Sequence, residues 1–226
     1  MIFTQITTVQ DTTDVLANST DSVRIIDLLL QGGFMMIPIL VLSIVAVYIF
    51  VERVRTINGA SKTPDEFMSQ IRQQVEKGDV NGAKLTCQHH DSPIARMIEK
   101  GITRIGSPLK NIEVSIENVG KIEIFKLEKN LSLLATISGA APMLGFLGTV
   151  IGMIQAFISI AQEEGSVSPK LLSEGIYTAM VTTAAGLFVG ILAYLGYNYL
   201  VTRVQKVIHK MEYNSIDFID LLQEPR

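Results

Sequence analysis

The chain is short of charge. Asp, Glu, Lys and Arg make up 18% of its 226 residues, against 48% hydrophobic residues. That balance excludes an ordinary soluble enzyme and puts the membrane class first. Charge is missing altogether from three runs, Leu28–Val51, Asn130–Gln162 and Gly175–Thr202. Each is longer than the ~20 apolar residues a helix needs to cross a bilayer, so three spans are predicted. Cysteine occurs once, at Cys87, which excludes an internal disulfide. The net charge of −3 is too slight to imply a nucleic-acid partner. The N-terminus lacks the basic stretch and small-residue cleavage pattern of a secretory signal. No nucleophile–base set and no phosphate-binding loop occurs, so the chain is not expected to be an enzyme.

The charge that is present is unevenly placed. Residues 1–32 carry Asp11, Asp14, Asp21 and Asp27 against Arg24, whereas residues 52–130 carry 13 Lys/Arg and 11 Asp/Glu. Bases stand next to span ends at Arg53, Arg55, Lys126, Lys129 and Arg203. By the positive-inside rule the 52–129 region and the C-terminus are cytoplasmic, and the N-terminus and the 163–174 link lie outside. Lys126 and Lys129 read as ordinary topology anchors. Glu163, Glu164 and Glu174 read as solvated link charges.

Along the chain, 1–20 is expected to be a flexible tail and 21–32 an interfacial amphipathic helix starting at Asp21 or Ser22. Span one (33–51), "FMMIPILVLSIVAVYIFV", is bulky and suits lipid contact. In the 52–129 region, helix starts are predicted at Thr63-Pro64, at Asp79 after a Gly78 stop, at Ser92-Pro93 and at Ser107-Pro108. Ile94, Met97, Ile98, Ile102 and Ile105 form one apolar stripe. The last of these helices is expected to run unbroken from Ile112 to Ala161, about 75 Å at 1.5 Å per residue. Span three (175–202) likewise continues through 203–226 on a stripe of Val201, Val204, Ile208, Met211, Ser215 or Ile216, Ile219 and Leu222. "TCQHHDS" places Cys87, His89 and His90 close in sequence, but adjacent histidines diverge on a helix and no second cluster accompanies them. No metal and no cofactor is expected.

Span two (130–162) and span three are rich in small residues. Ala141, Gly145, Thr149, Gly152 and Ala156 adjoin at helical spacing, with "GTVIG" from Gly148 to Gly152. Span three answers with "GLFVG", Gly186 to Gly190, and with Thr178, Thr182 and Thr183. In lipid, small residues at this spacing let backbones approach. Neither span holds an ionisable group. Repeated around an oligomer axis, the two helices would wall a cavity that is mildly polar and charge-free. Any intramembrane carboxylate must then come from another chain.

"LATISGAAPMLGFLGTVIGMIQAFISIA" and "EGIYTAMVTTAAGLFVGILAYLGYN" together resemble the MotA/TolQ/ExbB proton-channel family, most like its ExbB-type members. The signature is an A-P-x-x-G-x-x-G-T-V-x-G-M run with a T-A-A-G-L run. The resemblance implies an all-α membrane protein with three transmembrane helices, the second and third extended into a cytoplasmic bundle. It implies a homo-oligomeric ring, a pentamer, in the bacterial inner membrane. The ring encloses an ExbD-like single-span partner carrying a membrane Asp, and proton flow drives a TonB-like protein. Thr149 matches the family threonine of span two and Thr183 that of span three. Thr182 precedes it where other members have alanine, and Thr178 stands where some have glutamate. These four threonines are the candidate proton-path or partner-facing residues. Ala141, Pro142, Gly145, Gly148, Gly152, Gly186 and Gly190 are the candidate packing positions. A TolQ-like role in envelope maintenance and a non-conducting scaffold that clamps a partner helix are the alternatives. A flagellar stator fits less well, because those subunits have four spans.

Overall fold

The computed structural model describes residues 32–62, 66–162 and 169–223. Among these there are helices and turns and no strand: α1 Met36–Ala60, α2 Glu66–Glu76, α3 Val80–His89, α4 Pro93–Ile102, α5 Leu109–Glu128, α6 Leu131–Gln162 and α7 Pro169–Gln223. Three helical segments are long and apolar enough to cross a membrane, with mean hydropathy of 2.2, 1.9 and 1.8. They contain the second and third charge-free runs whole, and the first from Met36 onward. The interfacial helix expected at 21–32 falls almost wholly outside the described residues, as do the Thr63-Pro64 helix start and Glu163 and Glu164.

The described residues fall into two units, 32–39 with those of 144–186, and those of 40–143 with 187–223. The second holds the short helices, and their starts follow from local chemistry. Gly78 turns the chain with φ +76°, and the Asp79 carboxylate then accepts the Gly82 N–H at 2.9 Å. The Ser92 hydroxyl accepts the Ala95 N–H at 3.2 Å, with Pro93 at the first helical position. Such caps satisfy backbone donors that a helix start leaves orphaned. Pro108 precedes α5 without any side-chain cap.

Burial follows the helical period. Phe67, Ile71 and Val75 of α2 are buried, each contributing about 1.5–3 kcal/mol of apolar transfer. Ile94, Met97, Ile98 and Ile102 of α4 meet Ile112 and Ile116 of α5 in the same core, closed by Val204, Val207, Met211 and Phe218 of α7. Ile216, assigned to this stripe from the sequence as an alternative to Ser215, is exposed instead. Phe218 carries the anchoring role, its ring lying over Gly101, where an added Cβ would come within 2.6 Å of it.

A correction concerns the long helix. The segment from Ile112 to Ala161 is not continuous: α5 ends at Glu128 and α6 begins at Leu131. Lys129 is extended and Asn130 has φ +63°. Asparagine is among the few residues that enter this left-handed region readily.

The break sits in a network of charge. Arg53 is 3% exposed; its guanidinium donates to the Lys126 carbonyl at 3.0 Å and to Glu52 at 2.5 Å. The Asn130 amide donates to the other Glu52 oxygen at 3.5 Å. Glu123, also 3% exposed, accepts from Arg96 at 2.6 Å and Lys126 at 2.7 Å. Buried charges persist only when paired and hydrogen-bonded. Here the pairing ties the end of α1 to α5, and α4 to α5.

Candidate functional site

The first unit holds the facing parts of α6 and α7. On α6 the residues turned inward are Gly145, Gly148, Gly152 and Ala156, and on α7 they are Gly175, Ala179, Thr182 and Gly186. A Cβ on Gly145 would lie 3.0 Å from the Thr182 carbonyl oxygen, 3.1 Å from Thr183 Cα and 3.2 Å from Gly186 Cα. A Cβ on Gly148 would lie 2.5 Å from Thr182 Oγ1. Gly152 is closed in by Ala179 and the Gly175 carbonyl, and Gly175 in turn by Ala156. The two backbones therefore approach too closely to admit a side chain at these glycines, as the small-residue pattern predicts. Gly175 was not among the packing positions read from the sequence. Extending the i, i+4 grid from Ala179 one turn outward reaches it.

Three packing positions, Ala141, Pro142 and Gly190, belong to the second unit. Pro142 lies inside α6, and its ring covers Gly190, where a Cβ would come within 2.5 Å of Pro142 Cγ and 3.0 Å of the Ser138 carbonyl. Proline removes the hydrogen bond to the carbonyl four residues earlier, which is that of Ser138. Ala141 is buried beside it.

The four threonines have distinct settings. Thr182 is 1% exposed and its hydroxyl donates to the Ala179 carbonyl at 2.8 Å. It is enclosed by the chain's own helix pair. The Thr183 hydroxyl crosses that pair and donates to the Gly145 carbonyl at 3.0 Å. The Thr149 hydroxyl donates to the Phe146 carbonyl at 2.6 Å from a half-buried position. The Thr178 methyl lies 3.7 Å from where a Gly33 Cβ would be.

At about 100° per residue, Thr149 and Thr183 each stand roughly 60° off the centre of the helix contact. The helices run antiparallel, so equal offsets place both hydroxyls on one flank of the pair. Thr178 lies about 80° off in the opposite sense, on the flank where Gly33 is found. The structure thus brings Thr149 and Thr183 to one side and Thr178 to the other.

The hydroxyl hydrogens of Thr149 and Thr183 are both committed to backbone carbonyls. Each oxygen keeps lone pairs that can accept. Such a wall can receive a hydrogen bond from a neutral carboxylic acid. To serve a carboxylate it must first give up a bond it already makes. No Asp, Glu, Lys, Arg or His lies in Leu131–Gln162 or in 175–202. Among the described residues no three of His, Cys, Asp or Glu gather as metal ligands. Cys87 is buried in the second unit's core, and the His90 ring packs edge-on against Phe67.

The sequence profile of the MotA/TolQ/ExbB proton channel family matches residues 89–213, more than half of the chain. A putative biopolymer transport protein ExbB homolog of Methanothermobacter thermautotrophicus is 28% identical over 83% of this chain and 67% of its own length. A putative biopolymer transport protein ExbB-like 1 of Synechocystis is 28% identical over 81% of this chain and 73% of its own. The Tol-Pal system protein TolQ of Haemophilus influenzae is 35% identical over 43% of this chain and 41% of its own.

Proposed function

Because the chain belongs to the MotA/TolQ/ExbB proton channel family, we propose that it is a proton-driven motor subunit of the bacterial inner membrane, of the biopolymer-transport kind. Family members are channel and transport-motor subunits rather than enzymes. In this proposal copies of the chain form a ring, a pentamer, around an ExbD-like single-span partner whose membrane Asp takes up and releases the proton. The partner passes the resulting motion to a TonB-like protein. The N-terminus lies outside and the C-terminus in the cytoplasm, as the distribution of bases favours.

The observation that carries the reading is the flank shared by Thr149 and Thr183 on a helix pair whose spans hold no Asp, Glu, Lys, Arg or His. Its hydroxyls offer acceptors to a protonated partner carboxyl and no fixed charge to trap a proton. Thr182, enclosed between α6 and α7, acts as a spacer. Thr178, where some relatives carry glutamate, leaves the charge change to the partner. The membrane potential supplies ~2.3 kcal/mol per charge per 100 mV, so a few protons suffice to disrupt protein contacts.

The test is Thr149→Val, which keeps the shape and removes the hydroxyl. The oligomer is expected to assemble at wild-type level while proton-dependent uptake is lost. Wild-type uptake in this variant would rule out the hydroxyl role and leave the scaffold reading. A TolQ-like client is the second reading, favoured by the likeness to the Haemophilus protein. Deletion separates the two: loss of energised uptake supports the first, and detergent sensitivity with uptake intact supports the second.

A further inference from the structure

Within the second unit, α1 and α7 do not close against each other along their whole length. Between them, with Leu134 of α6 as floor, is a groove of about 270 Å³ lined by Ala46, Val47, Phe50, Leu192 and Gly196. Ser43 is the single polar side chain in its wall. Residue 196 has no side chain to fill the groove it lines, and a Cβ there would stand 3.0 Å from the Phe50 ring. Its rims, Val47 and Leu192, are exposed.

At the inner end of the groove the chemistry changes. The Phe50 ring leans on Tyr199, with centroids 6.3 Å apart. The Tyr199 hydroxyl accepts from Arg203 Nε at 3.1 Å and Nη2 at 2.9 Å, and the guanidinium lies 5.3 Å from the Tyr199 centroid. No carboxylate among the described residues pairs with Arg203. Leu192, Gly196, Tyr199 and Arg203 recur at four, three and four residues, one continuous face of α7. Seven residues separate Gly196 from Arg203, about 10 Å of helix. Thr202, just before Arg203, is the last residue of the charge-free run.

A charge-free groove in a membrane span is bathed in hydrocarbon, so its occupant is apolar. A guanidinium without a counter-charge at the end of that span calls for an anion, and arginine forks match phosphate oxygens. An apolar body with an anionic end about 10 Å away, on the scale of that helical rise, is a phospholipid. The geometry points to a phospholipid bound between α1 and α7, one acyl chain in the groove and its phosphate on Arg203. Tyr199 orients the guanidinium, and Gly196 keeps the groove open. The lipid fills a gap between span one and the α6–α7 pair that protein atoms leave unfilled.

The experiment is native mass spectrometry of the full-length chain, purified in detergent as its oligomer, with bound lipid counted per subunit. Wild type is expected to retain about one phospholipid per subunit, on the scale of a single acyl-chain groove. Arg203→Gln is expected to lower retention several-fold, and Gly196→Leu to abolish it. If Gly196→Leu does not assemble, Val47→Trp blocks the exposed rim without entering the core and is expected to give the same loss. Added phosphatidylglycerol or phosphatidylethanolamine is expected to raise the melting temperature of delipidated wild type, whereas diacylglycerol, lacking the phosphate, is not. Equal retention in wild type and every variant overturns the inference. So does efficient disulfide crosslinking of Val47→Cys between subunits, which would assign the groove to a second copy of this chain. The outcome is independent of Thr149→Val, so either can fail alone.

Discussion

Gly148→Ala puts the close approach of α6 and α7 to a quantitative test. The added Cβ would lie 2.5 Å from Thr182 Oγ1 and 2.8 Å from Thr182 Cβ. Carbon atoms are at rest near 3.5–4.0 Å. Rotation about χ1 moves the hydroxyl away but leaves the Thr182 Cβ where it is. The helices must therefore part by about 0.7 Å or more. Overpacking of this kind costs about 1–3 kcal/mol, and alanine's better helix propensity returns up to about 1 kcal/mol. A net loss of about 1–2 kcal/mol is expected on that balance. Gly139→Ala is the matched control, because nothing lies within 4 Å of its added Cβ, and it gains the propensity term alone. Thermal unfolding of the detergent-solubilised protein, followed by far-UV circular dichroism, reads both. Adding Thr182→Gly to Gly148→Ala removes the clashing atoms, so the pair is expected to lose less than the two single changes summed. If Gly148→Ala melts with Gly139→Ala, the account of this interface is wrong.

Other expectations follow from the second unit. Phe218→Ala empties a site that is 0% exposed and is expected to cost about 3–5 kcal/mol, read as a lower melting temperature and faster proteolysis. A melt like wild type would show that the ring is not an anchor. Burial raises the Glu123 carboxyl, but the hydrogen bonds and charges of Arg96 and Lys126 outweigh it and hold its pKa below 4.5. Its stabilisation is complete above pH 4.5 and is lost as the pH falls through the folded-state value. Glu123→Gln is thus expected to flatten the acid limb of the stability profile, and an unchanged limb would refute this. Burial, and then the charge of Glu99, pushes the Cys87 thiol up to about 12. Maleimide at pH 8 is expected to label it only as the core opens, and prompt native labelling would contradict that.

What was legible in the sequence was local. The three spans announce themselves by missing charge, and the Asp79 and Ser92-Pro93 starts need only neighbours three residues away. The glycine grid of α6 and α7 was also readable, because period and residue size suffice to predict close approach. The break before α6 was hidden. Asn130 continues the polar pair Glu128-Lys129, so only its tolerance of positive φ marks it. Arg53 looked like a topology marker at a span end. Its burial depends on a carbonyl 73 residues away, and Glu123 depends on Arg96 27 residues away. Pairings at that range leave no periodic trace. Phe218 was missed because the stripe was followed through Ser215 or Ile216 and Ile219, skipping the residue the packing uses.

The turn at Asn130 has an architectural consequence. A helix carries its angular phase forward, each inserted residue swinging everything beyond it by about 100°. The left-handed residue between α5 and α6 ends that continuity, so the angle between them is set by the turn and not by helical continuation. α7 has no such joint between Gly196 and Phe218. A one-residue insertion there forces a choice between the groove beside Phe50 and the socket over Gly101. Along that stretch of α7 the register is pinned at both ends, by Gly196 beside Phe50 and by Phe218 over Gly101.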